Sequence, residues 1–115
     1  MSPQQRVEMW IELAREAATL APAYAAGSAS KARDAGLDMR LSAARGLTRG
    51  LNFHQLPYSA WEIGREFLFL LDTLVDDDNP PEVRLGAVND LVVVADRLAV
   101  ELRTCAVRPR ADLDD

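Results

Sequence analysis

His54 is the single histidine of the chain, and Tyr58 and Trp61 follow it closely. An imidazole beside a phenol and an indole could form a small polar-aromatic ligand site or support acid–base chemistry. Nucleophilic catalysis needs more: a serine or cysteine activated by a base, or backbone donors arranged around a phosphate. No second histidine, no serine or cysteine paired with His54 and no glycine-rich phosphate loop is present. The plainer reading is a loop histidine bonding a helix end, so no catalytic residue is expected. His54, Tyr58 and Trp61 are kept as a possible ligand site.

Asp76-Asp77-Asp78-Asn79 raises the question of a cation. A calcium loop of the helix–loop–helix type needs alternating ligands, a central glycine and a glutamate at its twelfth position. Counted from Asp76, that position is Ala87, so the pattern fails and no metal or cofactor is expected. Asp78 and Asn79 suit the start of a following helix. Asp76 and Asp77 oppose the dipole of the preceding one and are candidates for an acidic docking tip, against the simpler reading of a solvated turn. Cys105 stands alone, which excludes an intramolecular disulfide and fits a reducing compartment. A small buried apolar role suits it better than that of a reactive thiol.

Charge supplies a weak partner signal. The net charge is −5, which argues against non-specific nucleic-acid binding. Residues 31–50 carry five basic and two acidic side chains, net +3, whereas residues 62–96 carry nine acidic and two basic, net −7. Arg45 and Arg49 on the first stretch, and Asp76 and Asp77 on the second, are therefore candidate partner-binding residues, although both sets could simply be solvated.

The elements that must position these residues are helices. Ser2-Pro3-Gln4-Gln5 has the form of a capping box with proline at the first helical position. From there to about residue 25, Val7, Ile11, Ala14, Ala18 and Ala21 form one stripe, and Trp10, Leu13, Ala17, Leu20 and Tyr24 a second beside it. That width suits a helix with two neighbours. Pro22 should kink or end it, and Gly27 should stop it. A second helix over 29–50 carries Leu37, Leu41, Ala44 and Leu47. Gly36 and Gly46 either weaken it by ~1 kcal/mol each relative to alanine or mark close helix contacts. The apolar connection 52–58, with Phe53, Leu56 and Tyr58, should fold over one end of the domain. A third helix, 60–75, is expected to start at a Ser59–Glu62 capping box with Tyr58 stapled to Ile63, and a fourth, 80–104, at an Asn79–Glu82 box with Pro80 first. Residues 106–115 read as a polar tail. The expected fold is all-α, a single antiparallel four-helix bundle over residues 1–105.

The runs Phe67–Leu71 and Leu91–Ala95 hold more apolar residues than one buried stripe needs. Phe69 and Val93 should lie outside the main seam, with Leu70 a further candidate. Either the first two helices cover them, or they form a dimer or partner surface. No apolar run approaches the ~20 residues of a membrane span, and the polar N-terminus lacks the pattern of a signal peptide. The functional expectation is a cytoplasmic, non-enzymatic protein-interaction module, such as a small acidic adaptor, an inhibitor, or an antitoxin- or immunity-type protein, that forms a homodimer. The alternatives are a ligand-binding protein or enzyme using His54, Tyr58 and Trp61, and a nucleic-acid binder using the arginine face of the second helix.

Overall fold

The computed structural model describes residues 2–24, 29–52 and 54–105. Among them all regular secondary structure is helical, without strands: α1 (Pro3–Leu20), a 3-10 turn (Ala21–Tyr24), α2 (Ala29–Asp34), α3 (Leu37–Arg49), α4 (Tyr58–Val75) and α5 (Pro81–Thr104). Gly27, Phe53 and the tail 106–115 lie outside the described residues.

The start of α1 is the capping box its sequence spells. Gln5 N–H donates to Ser2 Oγ at 3.1 Å, and Ser2 N–H donates to Gln5 Oε1 at 2.9 Å. Two of the orphan donors of the helix start are satisfied in this way, and Pro3 at the first position has none to satisfy. Val7, Trp10, Ala14, Ala17 and Ala21 are buried, and Ile11, Leu13, Ala18 and Leu20 flank them half-buried. The buried line runs along the seam between the two apolar stripes, because α1 packs against α3 on one side and α5 on the other. Pro22 falls inside the 3-10 turn, where the α-helix has already ended.

The expected second helix is two helices. Gly36 adopts φ +88°, a left-handed conformation that costs glycine little and other residues ~1–2 kcal/mol. The chain turns there, so that both Ala32 and Leu37 reach the core. Gly46, in contrast, stays helical, and a Cβ added to it would meet nothing within 4 Å. It marks no close helix contact.

The other two expected capping boxes are absent. α4 begins two residues earlier than the box requires, with Pro57 as its cap and no side-chain cap bond. The Pro57 carbonyl accepts from the N–H groups of Ala60 and Trp61. Ser59 lies within the helix and donates instead to Glu101 Oε1 on α5 at 2.6 Å, tying the two helices together. Tyr58 is the first helical residue and is 61% exposed, so it does not occupy the position of a staple. At α5 the cap is Pro80, again without a side-chain bond. Asn79 completes the preceding helix: its Nδ2 donates to the Thr73 carbonyl at 3.2 Å and its N–H to the Asp76 carbonyl at 3.3 Å. A carbonyl left open at a helix end competes for the same amide that a following helix start could use.

α4 and α5 pack along each other, α5 against α1, α1 against α3, and α3 against α4. Phe67, Leu70, Leu71 and Leu74 from α4 meet Val88, Leu91, Val94, Ala95, Leu98 and Leu102 from α5 in one core with α1 and α3. The connection before α4 closes over this core through Leu51, Gln55 and Leu56, all buried. Gln55 folds back so that its Oε1 accepts from the Asn52 N–H at 2.5 Å. Tyr58 takes no such part.

Candidate interaction surface

Packing of α4 and α5 leaves large apolar side chains in water. Phe69 is 69% and Val93 59% exposed, while Leu70 is buried. On α5, Leu85, Val92 and Val100 are exposed as well. Leu85 and Val92 stand seven residues apart, as do Val93 and Val100. A seven-residue spacing is two helical turns, so the four form two adjacent columns on one side of α5. Next to them the surface dips into a groove between α1 and α5, lined by Val92, Val93 and Ala99 together with Ala18, and rimmed by Arg15, Asp96, Arg97 and Arg103. Phe69 does not line this groove and presents a separate apolar point on α4. Leu85 and Val100 are absent from the sequence expectation, and Val92 lies in the flagged run Leu91–Ala95 without being singled out there. The seven-residue spacing within α5 is the signal that finds them.

The charged candidates are largely engaged within the chain. Arg45 Nη2 lies 3.3 Å from Asp72 Oδ1, linking α3 to α4. Arg33 Nη1 donates both to Asp77 Oδ2 and to the Val75 carbonyl, each at 3.0 Å. Asp77 thus holds the guanidinium that satisfies the C-terminal end of α4, which resolves the apparent conflict between this acid and the helix dipole. Arg40 pairs with Glu16 at 3.2 Å, linking α3 to α1. Asp76 accepts from the Asp78 N–H at 2.9 Å and closes the turn. The basic stretch and the acidic stretch seen in the sequence meet each other in the fold at Arg33–Asp77 and Arg45–Asp72.

The ligand-site candidates separate. His54 is exposed in the connection before α4, and Tyr58 is exposed at the helix start. Trp61 turns inward and meets Trp10, with ring centroids 6.2 Å apart and planes tilted by 48°, a favoured arrangement for aromatic pairs. The two indoles border a groove of about 340 Å³ that is completed by Thr48, Arg49, Leu51, Gly64, Arg65 and Leu68. Neither His54 nor Tyr58 lines it. Gly64 makes room for it. A Cβ at that position would sit 2.6 Å from Trp10 Cζ2, so only glycine lets the edge of the buried indole approach α4 this closely. Arg6 crosses Gly50 in a similar way, its guanidinium occupying the space a Cβ would take. Trp10, Gly64 and Arg65 were not expected as site residues. Nothing local marks them, because Trp10 and Trp61 are brought together only by the packing of α1 on its neighbours.

Among the described residues, no group of three or more His, Cys, Asp or Glu side chains is placed to hold a metal ion. No helix among the described residues is long and apolar enough to cross a membrane. Cys105 is half-buried, and its thiol is pushed above its ordinary pKa by burial and by the nearby Glu101 carboxylate. Its Sγ lies 3.6 Å from the Leu102 carbonyl. A thiol held protonated is a poor nucleophile. Comparison with protein families, with curated proteins and with solved structures finds no match for this chain.

Proposed function

We propose that this chain is a non-enzymatic protein-interaction module, of the small acidic adaptor, inhibitor, or antitoxin- or immunity-type class, that forms a homodimer through the outer faces of α4 and α5. The observation that carries the reading is the exposed apolar set Phe69, Leu85, Val92, Val93 and Val100. Each large apolar side chain left in water forgoes roughly 1.5–3 kcal/mol of burial. Two copies related by a two-fold axis would bring like columns on α5 against each other. The rim of Arg15, Asp96, Arg97 and Arg103 carries both signs of charge, as a self-complementary edge requires.

In this reading the long helices α1, α3, α4 and α5 form an antiparallel four-helix bundle. The tight Asp76–Pro80 turn and the closed series of neighbours around the core support that arrangement. The protein acts in the cytoplasm, in keeping with its single cysteine. Asp76, in the turn between α4 and α5, contributes to recognition at the periphery rather than at the apolar centre.

Light scattering of the purified chain at micromolar concentration is the test. A mass of twice the 12.7 kDa of the chain is expected, reduced to that of a monomer by Val93→Glu. Phe69 and Val93 are exposed in the single chain, so neither Phe69→Glu nor Val93→Glu should unfold it. A monomer mass for the unmodified protein, unchanged in both variants, refutes the dimer.

A further inference from the structure

We propose that the groove between α1, α3 and α4 is a binding site for a small organic carboxylate with an aromatic body. The site is independent of the self-association surface, because none of its lining residues belongs to the exposed set on α4 and α5.

Its shape and composition argue for a compact, partly apolar occupant. A volume of about 340 Å³ lies at the small end of the range for small-molecule sites, ~300–1,000 Å³. Trp10 at the floor and Trp61, Leu51 and Leu68 supply apolar walls, and the half-buried Trp61 is the indole accessible to a ligand ring.

Its polar groups argue for an anion. The lining holds two arginines and no carboxylate, in a chain whose net charge is −5. Arg33, Arg40 and Arg45 each pair with an acid, but Arg49 and Arg65 make no ion pair among the described residues. Trp10 Nε1 is buried without an acceptor among the described residues. That donor is closed off from the groove, so the two exposed guanidiniums carry the polar recognition. The Thr48 hydroxyl already donates to the Arg45 carbonyl at 2.9 Å. The groove therefore offers donors on Arg49 and Arg65, and an ionised carboxylate is a pure acceptor that a guanidinium can engage through two parallel bonds.

The chain contains two tryptophans, Trp10 and Trp61, so its intrinsic emission reports on this groove directly. The experiment titrates 3-phenylpropanoate into the full chain, with excitation at a wavelength that only the indoles absorb. Its neutral analogue 3-phenylpropanamide and the double variant Arg49→Gln/Arg65→Gln are measured in parallel. Both arginines are exposed, so the variant should keep the wild-type far-ultraviolet circular dichroism. A saturable change in emission is expected for the acid. The amide should bind about tenfold more weakly, and the double variant should weaken the acid by about tenfold while leaving the amide unchanged, as loss of a charge-assisted bond predicts. Three results overturn the proposal: no saturation up to roughly 10 mM acid, equal affinity for acid and amide, or wild-type affinity in the double variant.

Discussion

Replacing Gly64 with alanine tests whether the Trp10 seat is as tight as its geometry implies. Alanine favours a helix interior over glycine by ~1 kcal/mol, so on propensity alone the change should stabilise α4. The seat opposes this. The added Cβ would lie 2.6 Å from Trp10 Cζ2, where ordinary contacts begin near 3.4 Å. The indole must therefore retreat by most of an ångström. It is wholly buried and rigid, and it rests on Trp61, so it cannot bend away as a long flexible side chain would. Overpacking of this kind costs ~1–3 kcal/mol, which at least cancels the propensity gain and leaves a net loss of up to about 2 kcal/mol. Gly46→Ala and Gly86→Ala are the matched controls, since a Cβ at either position meets nothing within 4 Å. Each should gain up to ~1 kcal/mol from reduced freedom of the unfolded chain. Urea denaturation of the three variants, followed by circular dichroism, gives the comparison, and thermal midpoints should separate Gly64→Ala from either control by on the order of 10 °C. A Gly64→Ala protein as stable as Gly46→Ala would refute the reasoning and mean that α1 can slide over α4 at little cost.

The caps give a second contrast: Ser2→Ala should lower stability by ~1 kcal/mol in denaturant titrations, because it removes a cap bond. Ser59→Ala should change it by a few tenths at most, since its exposed bond to Glu101 is not a helix cap. Gly36→Ala should destabilise by ~1–2 kcal/mol in the same measurement, as alanine resists the left-handed backbone that ends α2. Arg33→Ala should cost ~0.5–1.5 kcal/mol and Asp77→Ala less. The first leaves the Val75 carbonyl without its donor, whereas the second removes only an exposed ion pair that salt already screens. Equal losses in these two variants at high salt would show that the carbonyl bond contributes nothing.

Much of the local structure follows from sequence alone. Three-four spacing of apolar residues marks α1, α4 and α5, and proline and glycine mark the breaks between them, because these signals act within a few residues. The tertiary structure decided which of several equivalent local signals is used. Ser2–Gln5 and Ser59–Glu62 carry the same capping pattern, yet Ser59 is claimed by Glu101 from a distant helix. Gly36 and Gly46 are the same residue in the same stretch, yet only Gly36 turns left-handed, since a break there delivers Leu37 to the core and Arg33 to the end of α4. The apolar excess at Phe69 and Val93 was legible as a surplus, but its exposure depended on where α1 and α3 came to rest. The aromatic groove was least legible of all. His54, Tyr58 and Trp61 are neighbours in sequence, but helix geometry turns Trp61 inward and leaves Tyr58 in solvent, and the partner of Trp61 comes from the first helix of the chain. Periodicity tells which face of a helix is buried. It carries no information on which residue of another helix will meet that face, because that pairing is set by the packing of all the helices at once.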